Sequence, residues 1–291
     1  HEVKRLSSEG VREFNLIAQD SSFYGRDLND GTTLARLLKE LVKIDNVKWI
    51  RLFYLYPTYF DDELLEIITK EEKICKYVDI PLQHISDSVL RRMHRRDSSQ
   101  SIKKLLKKLR NTTPYITIRT TLMVGFPGET EADFKELLTF IKAVKFDNMG
   151  AFTYSAQDGT PAARMVDQVT EEIKENRYHE LMAAQAEISE ENNRNLIGVD
   201  TEVLVEELLD DGCGNLQAKG RASFQAPEVD GNVYIDHPGD LRPGDSLPTL
   251  KEARRVWAHI GLTSFGGPAG QIAMMHKVLV DQKRWLDEET F

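Results

Sequence analysis

The sequence predicts an α/β fold: a parallel sheet curled into a partial, TIM-like (β/α) barrel, followed by a small all-β module. Three observations carry this. Five short apolar runs in the first half each stop at a knot of Gly, Pro, Gln, Asp, His or Tyr, and helical patterns separate the runs. Beyond residue 198 the pattern changes to short alternating strands divided by turn residues. A βαβ order places the C-terminal ends of parallel strands on one rim, where such barrels keep their chemistry.

Residues 2–10 have the spacing of a helix end, and residues 11–17 form the first strand, leading into Ala18-Gln19-Asp20. Leucines at 34, 37, 38 and 41 recur at helical spacing. Strand two covers 48–54 and ends at Leu55-Tyr56-Pro57-Thr58. The helix after it carries Leu64, Leu65, Ile67 and Ile68 on one side, behind Asp61 and Asp62 as caps. Strand three, 77–80, ends at Pro81-Leu82-Gln83-His84. A short helix from Ser86 and a Lys-rich one over 101–111 lead to strand four, 115–124. A helix over 129–144 opens on acidic residues that suit its dipole. Strand five covers 149–154, and a long charged helix over 170–195 closes the unit. Strands near 202–208, 216–223 and 232–235, with turns at Asp211-Gly212 and Asp230-Gly231, predict a barrel of the oligonucleotide-binding class that runs out near Leu247. The expected domains are 1–198, 199–247 and an atypical segment, 248–291. Within the last, residues 256–275 are Gly-, Ala- and Met-rich, yet their Ser, Thr, Gln and Pro make a poor spanning helix. Membrane contact is expected through that stretch or not at all.

A chain of 291 residues, 41% hydrophobic and 29% charged, holds one barrel-sized core and an appendage. His1 to Gly10 is polar, without a charged-then-apolar leader, so the expected compartment is the cytoplasm. Cys75 and Cys213 alone exclude a disulfide framework and supply no thiolate cluster for zinc or iron–sulfur ligation, so no metal ligands are expected within this chain. The net charge of −9 is concentrated: between Asp200 and Leu247 eleven acidic residues stand against three basic ones, a balance of −8. Such a surface repels phosphate backbones and attracts a basic protein, although ordinary solubilising charge explains it equally well.

On the rim, Gly125-Phe126-Pro127-Gly128-Glu129-Thr130 joins a strand to a helix N-terminus, and its glycines leave room for an adenosyl or phosphate-bearing ligand against backbone N–H groups. A tight connection needs the same residues. Gln19 and Asp20 suit an amino or ribose hydroxyl group, and Asp20 equally suits a helix cap. Pro81 fixes the exit of strand three and leaves Gln83 and His84 facing the rim; a lone His is more often hydrogen-bonded structure than a base. Tyr24, Tyr56, His84 and Tyr154 are candidates for lining a substrate pocket, or half-buried core. No hydrolytic triad or Walker loop is present, and no catalytic residue is assigned.

Three stretches, residues 16–25, 79–90 and 119–130, resemble the radical S-adenosylmethionine methylthiotransferases, and Phe152-Thr153-Tyr154-Ser155, Gly159-Thr160-Pro161-Ala162 and Asp167-Gln168-Val169 continue the likeness in order over about residues 2–245. The resemblance implies a partial barrel binding a 4Fe-4S cluster and S-adenosylmethionine, followed by a TRAM module that engages the substrate. It implies cofactor contacts at Gln19 and Asp20 near the methionine end, and at Gln83, Gly125, Phe126, Gly128 and Glu129 near ribose and adenine. The Ala-Gln-Asp and Pro-Leu-Gln-His forms are similar to the branch that methylthiolates the β-carbon of an aspartate in a basic small-subunit ribosomal protein. That carbon is too weak an acid for side-chain bases, hence a cofactor radical.

In the family the C-x-x-x-C-x-x-C loop precedes the helix that ends near Gly10, so the polypeptide as written is expected not to assemble the cluster and to be inactive alone. Residues 253–257 and 261–272 resemble the amino-terminal start of chromate-transporter family proteins, which predicts a junction near Leu247. The alternatives are a tRNA methylthiotransferase and a non-catalytic cofactor- or protein-binding remnant. The acidic second module argues for a protein partner rather than nucleic acid. A monomer is expected.

Overall fold

In the computed structural model the structure describes residues 1–210, 216–236, 241–247 and 258–260. The chain divides into two compact units, His1–Ser189 and Glu190–Phe291.

The first unit begins with α1 (Glu2–Ser8) and β1 (Glu13–Leu16), then alternates α2 (Leu34–Leu41), β2 (Trp49–Leu52), α3 (Asp62–Lys70) and β3 (Ile74–Asp79). Two helices, α4 (Asp87–Arg92) and α5 (Ser99–Thr112), precede β4 (Thr117–Val124); α6 (Glu131–Val144), β5 (Asn148–Thr153) and α7 (Glu171–Arg194) follow. The five strands pair in parallel in the order β1-β2-β3-β4-β5, as a βαβ series requires. Side-chain caps fix the starts of several helices. Thr33 accepts a hydrogen bond from the Arg36 N–H at 3.2 Å, Asp61 from that of Leu64 at 2.9 Å, and Ser98 with Ser101 forms a reciprocal capping box. Apolar stripes then close one core: Leu34, Leu38 and Leu41 of α2, Leu64 and Ile68 of α3, and Leu106 and Leu109 of α5 are all buried in one cluster with Ile50, Leu52, Val78 and Ile118 of the strands.

The strands also bury charge. Arg51 is fully buried on β2, 3.0 Å from Glu13 of β1 and 4.7 Å above the Tyr77 ring of β3, while Asp79 of β3 faces Arg119 of β4 at 3.8 Å. β3 starts at Ile74, three residues before the expected 77. Lys76 conceals the strand's apolar pattern, because its ammonium is half-buried and donates to the carbonyls of Ile68 at 2.6 Å and Glu71 at 2.7 Å. α6 starts at Glu131 rather than 129, since Thr130 is its cap and the Glu129 side chain turns back into the preceding loop.

In the second unit β6 (Val203–Asp210), β7 (Leu216–Ala222) and β8 (Val233–Asp236) form an antiparallel meander around Val203, Val205, Ala218, Val233 and Ile235. β9 (Ser246–Leu247) pairs with β6 on one edge and β10 (Ala258–Ile260) with β8 on the other, giving an open sheet in the order β10-β8-β7-β6-β9. β10 comes from the segment expected to stand apart from the β module, and it adds three residues to the β8 edge. The other expectations for residues 248–291 lie outside the described residues. Among the described residues no helix is long and apolar enough to cross a membrane.

Candidate functional site

Beyond the C-terminal end of β4 lies a cavity of about 300 Å³, at the small end of ligand sites. Gln83, Met123 and Phe126 line it, with Met93 and Arg95 from beyond α4 and Met165 from beyond β5. Gln83 is placed there by backbone geometry. It bridges to β4, its N–H donating to Thr121 O at 2.9 Å and its carbonyl accepting from Met123 N–H at 2.7 Å, and it sits at a φ of 68°, which few residues other than Gly adopt. Its Oε1 is buried with no hydrogen-bond partner among the described residues. The cavity thus has an apolar, sulfur-rich wall, one unspent amide oxygen and two arginines, Arg92 and Arg95.

The Gly-Phe-Pro-Gly turn that presents Phe126 is organised differently from the sequence expectation. Its N–H groups do not await a ligand: those of Gly125 and, at 3.2 Å, Phe126 donate to Glu129 Oε2, so the chain's own carboxylate fills the nest. Arg177 Nη1, from α7, reaches Glu129 Oε1 at 3.2 Å and the Glu129 carbonyl at 3.1 Å. Burial pushes the Glu129 carboxyl up to about 7, against the opposing pull of Arg177 and the two N–H bonds. The room left by Gly125, at a φ of 74°, is occupied by the Lys174 side chain, whose ammonium lies 5.3 Å over the Tyr154 ring. A Cβ at Gly128 would strike the Arg92–Asp167 ion pair. Both glycines serve tight packing against neighbouring side chains.

The other rim candidates separate. Gln19 and Tyr24 are exposed and do not line the cavity. Asp20 is a cap: its carboxylate accepts from the N–H of Ser22 at 3.0 Å and from that residue's hydroxyl, which itself accepts from Tyr56 N–H at 3.0 Å. Tyr56 touches the site through Arg95, whose guanidinium stacks 4.4 Å over its ring and donates to Pro81 O at 3.0 Å. Tyr154 stands behind the wall, edge-on to Phe126 at 5.2 Å, its hydroxyl buried without a partner among the described residues. The expectation that His84 faces the rim is corrected. It is fully buried, Nδ1 accepts from Ser86 N–H at 2.9 Å, and burial holds it near 4, hence neutral.

Sequence reasoning passed over Met93, Arg95 and Met165, which come from loops without a motif, and Lys174 and Arg177. The last two continue the buried stripe of α7 through Leu181, Ala184 and Ile188, so cations at helical spacing ahead of an apolar stripe were the available signal.

Residues 1–141 match the radical SAM superfamily. The fold agrees, since coproporphyrinogen III oxidase (HemN) from Escherichia coli superposes with a TM-score of 0.51 at 13% identity, over 90% of this chain and 64% of that one. Residues 197–250 match the TRAM domain and 252–291 the chromate transporter family, a boundary close to the expected junction. Among curated relatives, the ribosomal protein uS12 methylthiotransferase RimO of Geotalea uraniireducens is 49% identical over 244 residues, covering 84% of this chain and 54% of the relative. RimO of Pelobacter propionicus is 51% identical over 234 residues, covering 80% and 52%. The chain spans about half the length of the curated relatives it matches.

Proposed function

We propose that this chain is the cofactor-handling barrel and substrate-engaging module of a methylthiotransferase that uses S-adenosylmethionine and acts on the small-subunit ribosomal protein uS12. The observation that carries the reading is identity of about one half, over four fifths of the chain, to relatives bearing that name. The cavity fits the adenosine part of the cofactor: Phe126, Met93, Met123 and Met165 offer apolar faces to a flat base, and the unspent Oε1 of Gln83 offers an acceptor to a hydroxyl or amino group. When bound, the cofactor supplies radical and methyl-transfer chemistry that side chains lack.

The chain's own contribution is position. Glu129 and Arg177 hold the turn that presents Phe126, Lys174 fills the space behind it, and Arg95 fixes the strand exit that sets Gln83. A 4Fe-4S cluster does not fit the residues present: Cys75 is buried on β3, and no group of three ligating side chains exists among the described residues. The acidic balance between Asp200 and Leu247 supports capture of a basic protein by the TRAM region.

Calorimetric titration of the 291-residue chain with S-adenosylmethionine tests the reading. Saturable binding weakened about tenfold in both Gln83→Leu and Phe126→Ala is expected, roughly one lost polar or stacking contact each. Binding that neither substitution alters would place the cofactor elsewhere and overturn it.

A further inference from the structure

The first unit carries a concentration of positive charge opposite in sign to the whole chain. From Asp87 to Thr112 nine Lys and Arg stand against Asp87 and Asp97, a balance of +7 in a protein of net −9. The structure disposes these cations on α4, α5 and the loop between them. α5 buries Ile102, Leu106 and Leu109 and leaves Lys103, Lys104, Lys107 and Lys108 exposed on its other side. Neighbouring acids neutralise some of the set: Lys103 meets Glu136 at 3.7 Å, Lys108 pairs with Asp62, Arg110 with Asp147 at 2.7 Å and Arg92 with Asp167 at 2.8 Å. Arg91, Arg96, Lys104 and Lys107 are in no ion pair among the described residues. Arg92 and Arg95 of this set line the cavity with His94, and the lysines lie along the fourteen residues of α5, about 20 Å of helix.

We infer that this α4–α5 face is a docking surface for an RNA phosphate backbone. Lys104 and Lys107 stand one turn apart on the exposed side of α5, and with Arg91 of α4 and Arg96 of the loop, which donates to Tyr59 OH at 3.2 Å, they concentrate the positive charge that phosphate binding needs without a pocket. An acidic protein would be held by the same charges, but RNA is favoured because a ribosomal protein is met in the company of ribosomal RNA; that choice rests on the function proposed above. The acidic second unit and the basic face then divide the target, one attracting protein and the other its RNA.

The test is fluorescence anisotropy of the full chain with a labelled oligouridylate across a salt series, compared with Lys104→Glu/Lys107→Glu. Four cations outside ion pairs predict a log–log salt slope of about −3, falling to roughly half in the variant, with affinity reduced about tenfold or more at low salt. Circular dichroism and S-adenosylmethionine titration of the variant should match the parent, because both side chains are exposed and remote from the cavity lining. An unchanged slope overturns the inference, as does tighter binding of a polyglutamate peptide than of the RNA. Loss of cofactor binding in the parent chain alone would instead overturn the proposed function and leave the RNA result standing.

Discussion

Arg177 Nη1 lies 3.2 Å from Glu129 Oε1, and the other oxygen of that carboxylate serves the N–H groups of Gly125 and Phe126. One buried acid therefore ties α7 to the turn that carries the cavity wall. With the Glu129 pKa pushed up to about 7 by burial, the folded state holds a proton there that the unfolded chain, near 4.5, has released. Stability from this group is thus full below about pH 4.5 and is lost as pH rises to 7, by up to about 3 kcal/mol. Urea unfolding at pH 5 and pH 7 should show this loss in the parent and a smaller one in Glu129→Gln. Equal losses in the two proteins would show that the carboxyl does not titrate in this range.

His84 has the opposite sign. Its folded value near 4 lies below the unfolded value of 6.5, so its contribution is present above about pH 6.5 and is lost as pH falls through 4. Its imidazole resonances, assigned by comparison with a His84→Asn variant, should not shift between pH 7.5 and 5. His84→Leu should cost about 1–3 kcal/mol by leaving the buried Ser86 N–H unpaired, whereas His84→Asn, which retains an acceptor, should cost less.

Gly125→Ala should be strongly destabilising, because alanine is strained at a φ of 74° and its methyl would overlap the Lys174 stem. Trimming Lys174 to Ala removes the overlap but not the strain. The pair should therefore show a favourable coupling of about 1 kcal/mol in a double-mutant cycle measured by thermal unfolding. Strict additivity would mean the two side chains do not compete for the space.

Asp20→Ala should lower stability by about 1 kcal/mol, the usual loss of an N-terminal cap, and leave the dissociation constant for S-adenosylmethionine within about twofold. A tenfold loss of affinity with unchanged melting temperature would move Asp20 from scaffold to ligand contact.

The order of elements was legible because apolar runs, caps and turn residues agree locally, as at Asp61. The rim was legible as a place, and Gln83 and Phe126 do meet at one cavity. What each rim residue does there was not, because that depends on partners distant in sequence. Nothing around Glu129 announces that Arg177, forty-eight residues on, will claim its carboxylate, and nothing around Gly125 announces Lys174. The inner face of the sheet was hidden for a related reason: Arg51 and Asp79 look like interruptions until neighbouring strands supply Glu13 and Arg119.

Gln83 occupies a backbone conformation that glycine would adopt with less strain, and two ladder bonds to β4 hold it there. Selection for thermal robustness alone would drift this position toward glycine, erasing the amide in the process. A library sorted only for heat resistance should consequently enrich the Gln83→Gly substitution while it sheds ligand affinity, so durability and recognition compete at a single codon.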